Sequence, residues 1–225
     1  MSTATLAGNR CTSVTIRVPS VGAWVADCEL DTAADITGEV VLDVAGLEFT
    51  GTADPFRTGS FGGMTRARVV AGAGAWGATL AARAYHNDLG VSLATVVGDL
   101  AREAGEDLLG ILVGVPSRLD VDFVRQSGPA SRSLRQAIGT AAWWVDYDGQ
   151  THVAPRVQSE ITGTYQLLRF DPRTRQASIA LDDPAAIVIG SVLRDTALPY
   201  AVEVEELEIV VSSGTLRVNV WGAQA

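Results

Sequence analysis

The sequence predicts a mainly β fold with an α+β insert: two similar small β-barrels flanking a compact helix-hairpin unit. Three observations carry this prediction. From Thr12 to Val70 short runs rich in β-branched residues alternate with glycines, the pattern of a small barrel or sandwich. Near residue 91 the apolar spacing changes to the 3.6-residue period of a helix. After Ser159 the strand pattern returns and lasts to the end. The predicted units are therefore residues 1–90 (first barrel), 91–158 (insert) and 159–225 (second barrel).

In the first unit, Val14–Val18, Val40–Val44 and Leu47–Thr50 read as strands, punctuated by Gly22, Gly38, Gly46 and Gly51. Ala45-Gly46 between two such runs reads as a tight hairpin. In the insert, Leu93, Val96, Val97, Leu100 and Ala104 share one face of a helix, which Ser92 caps and Gly105 ends. A second helix is expected from about Ser131 to Ala141, with Leu134, Ala137, Ile138 and Ala141 on its apolar face. Trp143–Tyr147 and Thr151–Val157 flank Asp148-Gly149, a strong hairpin signal. In the last unit Ala185–Val192, Val202–Val211 and Thr215–Trp221 are strand candidates, with Ser213-Gly214 as a turn. A faint internal repeat fits two copies of one β unit: Phe49–Ala53 echoes Val188–Val192, and Thr65–Gly72 echoes Thr215–Gly222.

Composition bounds the function. Of 225 residues, 47% are hydrophobic and 19% charged, which argues for a folded domain and against disorder. All 17 basic residues are arginine, and the net charge is -9, so the positive stripe needed for generic nucleic-acid binding is not expected. Met1–Arg10 lack a cationic start followed by an apolar core, and the longest apolar stretch, around Leu108–Val115, is too short to span a bilayer. A soluble protein made in a cytoplasm is expected. Cys11 and Cys28 lie in strand-like apolar stretches and are expected to be reduced core thiols.

Few residues suggest chemistry. His86 and His152 are the only histidines, and neither has a Cys or His at helix spacing, so surface or packing roles are expected rather than metal binding. Asp182-Asp183 and Glu205-Glu206 are consecutive, and on a strand such neighbours point to opposite faces. The stretch Gly72-Ala-Gly-Ala-Trp-Gly77 does match the dinucleotide fingerprint, with Val69-Val70 before it and Asp99 near the ribose-binding distance. A nicotinamide dehydrogenase is thus one alternative. Against it, about 65 residues of β pattern precede the motif, and helical spacing stands where the next strand should be. The adjacent Trp143 and Trp144 should face opposite ways on a strand, and an outward Trp would suit a carbohydrate-binding tail-tip domain, a second alternative.

The middle of the chain resembles the baseplate hub proteins of tailed phages and of related contractile injection devices. The resemblance runs through Gly72–Leu80, Arg83-Ala-Tyr85, Gly90–Leu93, Val97–Gly105, Phe123–Arg125, Gly128–Leu134 and Trp143–Gly149, and extends to Leu181–Pro184 and Leu216–Val220. It implies two β-barrels around an α+β insert, with three copies placing six barrels in a ring of approximate sixfold symmetry. That homotrimer would join the tail tube protein to the central spike protein, meet the tape-measure C-terminus, and let DNA pass within the virion. The resemblance brings no catalytic residue, cofactor or metal, and no membrane contact. Compared with larger hubs this sequence is short, so extra peripheral domains are not expected.

Overall fold

A computed structural model describes residues 4–225, apart from the side chain of Ile111. The first unit comprises β1 (Ala4–Leu6), β2 (Asn9–Pro19), β3 (Val25–Leu30), β4 (Glu39–Val44), β5 (Leu47–Ala53), β6 (Gly59–Phe61) and β7 (Met64–Ala71). Six of these close a barrel in the order β1-β2-β3-β7-β5-β4, with β4 returning to β1. Alternation builds it: Val14, Ile16 and Val18 of β2 turn inward, while Arg17 faces out. Ala45-Gly46 forms the expected hairpin, both residues at positive φ (55° and 89°) as a two-residue turn of the primed type demands. Ala7-Gly8 does the same between β1 and β2. The start of the predicted first unit, residues 1–3, lies outside the described residues.

The middle section comprises β8 (Thr79–Leu80), β9 (Arg83–His86), α1 (Leu93–Ala104), β10 (Leu108–Leu112), β11 (Asp122–Arg125), β12 (Gly128–Pro129), α2 (Ala130–Ile138), β13 (Trp143–Val145) and β14 (Thr151–Val153). Helix α1 starts and stops where its sequence says: the Ser92 hydroxyl accepts from the Thr95 N–H, and Gly105 takes the left-handed conformation at φ 82°. Its predicted face is buried at Leu93, Val96, Val97 and Leu100. Helix α2 ends three residues earlier than its apolar spacing implies, because Gly139 turns the chain at φ 66° and ψ -124°. Strands β8 and β9 pair with β12 and β11, so residues 79–86 join the middle section through their hydrogen bonds rather than the first barrel.

The last unit comprises β15 (Ser159–Glu160), β16 (Tyr165–Asp171), β17 (Gln176–Leu181), β18 (Ser191–Leu193), β19 (Val202–Ser212) and β20 (Thr215–Gln224). Its connectivity repeats that of the first. The pairs β16–β17, β17–β20, β19–β20 and β18–β19 correspond to β2–β3, β3–β7, β5–β7 and β4–β5, all antiparallel. One strand departs from the scheme. β15 lies parallel to β18, where β1 is antiparallel to β4, and no ladder joins β15 to β16. There the ring stays open, bridged by the Tyr165 hydroxyl, which donates to the Arg194 carbonyl and accepts from the Arg194 N–H at 3.2 Å.

This topology tests the internal repeat. Thr65–Gly72 and Thr215–Gly222 lie on or just past the equivalent strands β7 and β20, so that echo is structural. Phe49–Ala53 lies on β5, whereas Val188–Val192 leads into β18, the counterpart of β4, so the other echo joins inequivalent elements. The expected strand Ala185–Val192 is also shorter. Asp183 caps a 3-10 turn at Pro184–Ala186, and pairing starts only at Ser191.

A long joint fuses the two units. Residues Ser13–Pro19 of β2 pair antiparallel with Glu206–Ser212 of β19, making one 13-stranded sheet. Val14, Ile16 and Val18 stand opposite Val211, Ile209 and Leu207, all essentially buried, while Arg17 pairs with Glu208 at 3.0 Å on the other face. Such apolar cross-strand pairs each contribute about 0.2–1 kcal/mol beyond the backbone ladder. Among the described residues no helix is long and apolar enough to cross a membrane.

Candidate functional site

The glycine-rich loop after β7 is built around an anion, and that anion belongs to the protein. Gly72 and Gly74 both have positive φ (62° and 71°) and lead into a 3-10 turn at Ala75–Gly77. This winding directs the N–H groups of Ala73, Ala75 and Trp76 to one point, as in a phosphate-binding nest. The Glu106 carboxylate fills it. Oε2 accepts from Ala73 N–H at 3.1 Å, and Oε1 accepts from Ala75 at 2.5 Å and Trp76 at 3.1 Å. Glu106 is 5% exposed, and burial pushes its carboxyl above the usual range, against the downward pull of the three N–H groups. A Cβ on Gly72 would sit 2.7 Å from Oε2 and 2.9 Å from the Gly149 carbonyl. The glycines thus admit an internal carboxylate.

This arrangement removes the basis for the dinucleotide reading. The N–H groups that would hold a pyrophosphate are engaged, and the loop enters a one-turn 3-10 helix, not a long one. Asp99, the candidate ribose ligand, is buried on α1 and pairs with Arg83 at 2.9 Å and with Arg102. It belongs to a network in which Arg83 and the buried Arg125 both hold Glu103, whose carboxyl is pulled below its ordinary range chiefly by Arg125.

The two tryptophans of β13 face opposite ways, as strand geometry requires. Trp143 is buried against Trp76, with ring centroids 5.3 Å apart. Trp144 is half-buried, and both of its faces are covered. The His152 ring stacks on it at 4.0 Å with a 3° interplanar angle, and the Arg156 guanidinium lies over the ring at 3.7 Å. Asp146 fixes His152 from 2.7 Å, and the Trp144 indole N–H donates to Ala154 at 3.2 Å. A sugar ring would find neither face free. Burial lowers the Arg156 pKa to about 10.

The remaining candidates have structural places. His86 lies on the surface between Asp122 (2.6 Å) and Asp88 (3.2 Å), and Asp122 raises its pKa. Cys11 and Cys28 are free and buried on neighbouring strands. Among the described residues no group of three or more His, Cys, Asp or Glu is arranged to hold a metal.

The chain also exposes large apolar side chains. Phe56 and Phe61 are 94% and 93% exposed, and Met64 pairs across the strand with Phe61 beyond a Gly62-Gly63 turn. Two nearly naked phenylalanines, one in the turn before β6 and one at the tip of the β6–β7 hairpin, are unusual for a free-standing surface. The β6–β7 hairpin is not among the elements expected from the sequence, although Phe61-Gly-Gly-Met64 carries a turn signal. A second exposed stretch is β16, paired only with β17, with Leu168 at a break in register and half exposed.

No protein-family model matches the chain, and no curated protein matches it by sequence. Solved structures do match it in fold. The 43 kDa tail protein of prophage MuSo2 from Shewanella oneidensis superposes with a TM-score of 0.71 at 8% identity, over 99% of this chain and 97% of that one. A tail protein from Neisseria meningitidis MC58 gives 0.67 at 10% identity, over 97% and 95%. The Escherichia coli c3393 protein gives 0.69 at 10% identity, over 99% and 79%. It is a type VI secretion component described as similar to the T4 phage tail proteins gp27 and gp5. The chain shares the fold of these tail proteins along nearly its whole length.

Proposed function

We propose that this chain is a structural subunit of a phage tail. It is a baseplate hub protein, three copies of which close a ring between tail tube and central spike. The observation that carries this reading is the doubled strand connectivity, fused at β2–β19, in a fold shared end to end with phage tail proteins. Two like units per chain give a threefold ring an approximate sixfold face. A hub needs that geometry to match a sixfold tube to a threefold spike.

A head-to-tail contact closes only if each copy is turned by a third of a circle. β16 supports such a contact, since its counterpart β2 is already consumed by the joint within the chain. The joint between copies is not a copy of the internal one. β4 covers the length of β5, whereas β18 covers only the first residues of β19 and leaves the rest to β2. With a net charge of -9, the bore is expected to be acidic or neutral, so that DNA slides through without sticking. The tail tube protein, the central spike protein and the tape-measure C-terminus are the proposed partners, and the subunit acts without catalysis or cofactor.

Native mass spectrometry and imaging of the chain, alone and mixed with its spike and tube proteins, test the reading. Particles of three copies around a central opening are expected. A chain that stays monomeric in the presence of both partners contradicts it.

A further inference from the structure

A cleft of about 510 Å³ lies where α2 faces the first barrel. Its volume falls in the range of ligand sites and suits two or three side chains of an extended peptide. The floor is apolar, with Val70, Trp76 and Trp143 among its walls. The rim is cationic. Arg132 and Arg135 stand one turn apart on α2, both exposed, and neither forms an ion pair among the described residues. Like charges at this spacing repel in a folded helix. A carboxylate placed between them would relieve that repulsion and engage both guanidinium forks.

Trp143 lines the cleft, and its indole N–H, buried without an acceptor among the described residues, serves as a spectroscopic probe of that wall. One further feature favours a ligand here. Glu106, the only acid on the walls, has both oxygens engaged by loop N–H groups, so it does not neutralise the rim. We propose that this cleft binds an acidic segment of a partner protein, its carboxylate between Arg132 and Arg135 and a neighbouring apolar side chain against Trp76 and Trp143. The apolar floor favours a peptide over a bare anion, and the overall charge of -9 disfavours a nucleic acid. The inference holds whether or not three copies close a ring.

The test uses the intact chain and two peptides, acetyl-Gly-Asp-Phe-Gly-amide and its asparagine counterpart. NMR follows the Trp143 indole N–H during titration. The aspartate peptide should give a saturable shift, with affinity at least tenfold above that of the asparagine peptide. The double variant Arg132→Gln, Arg135→Gln should lose that tenfold preference and keep the fold, because both side chains are exposed. Equal affinity for the two peptides, or no saturable shift, would overturn the proposal using the unmodified protein alone. Displacement of the aspartate peptide by inorganic phosphate at equal concentration would also overturn it, since the site would then recognise only charge.

Discussion

The first β-unit and the last follow the same strand order, but only the first completes its ring. The difference lies in one short strand. A two-residue turn at Ala7-Gly8 folds β1 back onto β2 and against β4, whereas β15 enters parallel to β18 and leaves β16 unpaired on one side. The insert amplifies the contrast. Its β13–β14 hairpin reaches the first unit through Gly22 N–H to Trp143 (2.8 Å), Thr50 N–H to Tyr147 (2.7 Å) and the Trp24 indole to Asp146 (2.9 Å). Tyr147 also packs on Phe49, which meets Trp24 edge to face. One unit is finished and stiffened from within the chain. The other has an edge that a second chain can complete. A closed ring is safe from open-ended pairing, whereas β16 keeps one edge unpaired within the chain.

The comparison breaks most readily at a glycine that both units share by position. Gly72, just past β7, and Gly222, near the end of the equivalent β20, match in the internal repeat, yet they are small for different reasons. Gly72 makes room for Glu106, whereas a Cβ on Gly222 would lie 1.8 Å from the Glu203 carbonyl, at the register break between β19 and β20. Gly222→Val should therefore cost about 4 kcal/mol or more, the range of severe backbone collisions. Denaturant unfolding checks this, and an unchanged midpoint would show that β20 does not cross β19 as described.

Glu106→Ala should cost somewhat less, about 3 kcal/mol, since it strands three N–H groups at roughly 1–3 kcal/mol each with partial rescue by water. The loss should appear first in the insert and first unit. Hydrogen exchange resolved by residue distinguishes this from uniform destabilisation.

The same method sharpens the edge comparison in the unmodified protein. Amides of β16 should exchange at least tenfold faster than those of β2 in the free chain, because β2 is paired on both sides. They should slow when the assembly forms. Equal protection in the free chain would mean that the edge is covered internally.

The smallest effect is electrostatic. Arg125 and Arg83 hold Glu103 ionised below its ordinary range, so the folded state binds fewer protons there than the unfolded one. The resulting stabilisation is present at neutral pH and is lost as pH falls through the carboxylate range towards the lowered value. Glu103→Gln should lower the melting temperature at pH 7 and flatten its decline on acidification. A variant that keeps the full acid-induced decline assigns the effect to other carboxylates.

Where pattern and turn chemistry agree, the fold was legible in the sequence. Helix α1 with its caps and the hairpins at Ala45-Gly46, Asp148-Gly149 and Ser213-Gly214 stand where local residues placed them. Local signals failed where the turn lacked glycine or the partner was remote. The β16–β17 hairpin turns through Arg175 at φ 54°, without an Asn-Gly or Asp-Gly signal, and went unseen. The nest around Glu106 joins residues 33 apart in the chain from Ala73, so the glycine loop resembled a nucleotide site until its anion was found. The cleft beside α2 depends on packing between units, which periodicity alone does not report.

In the proposed hub, both β-units of each chain serve one ring. The most direct measurement is a density map of the assembled tail particle. Three copies of the chain, with both β-units of every copy facing the channel, is the predicted result. Six copies, or a channel lined by only one unit of each chain, would contradict it.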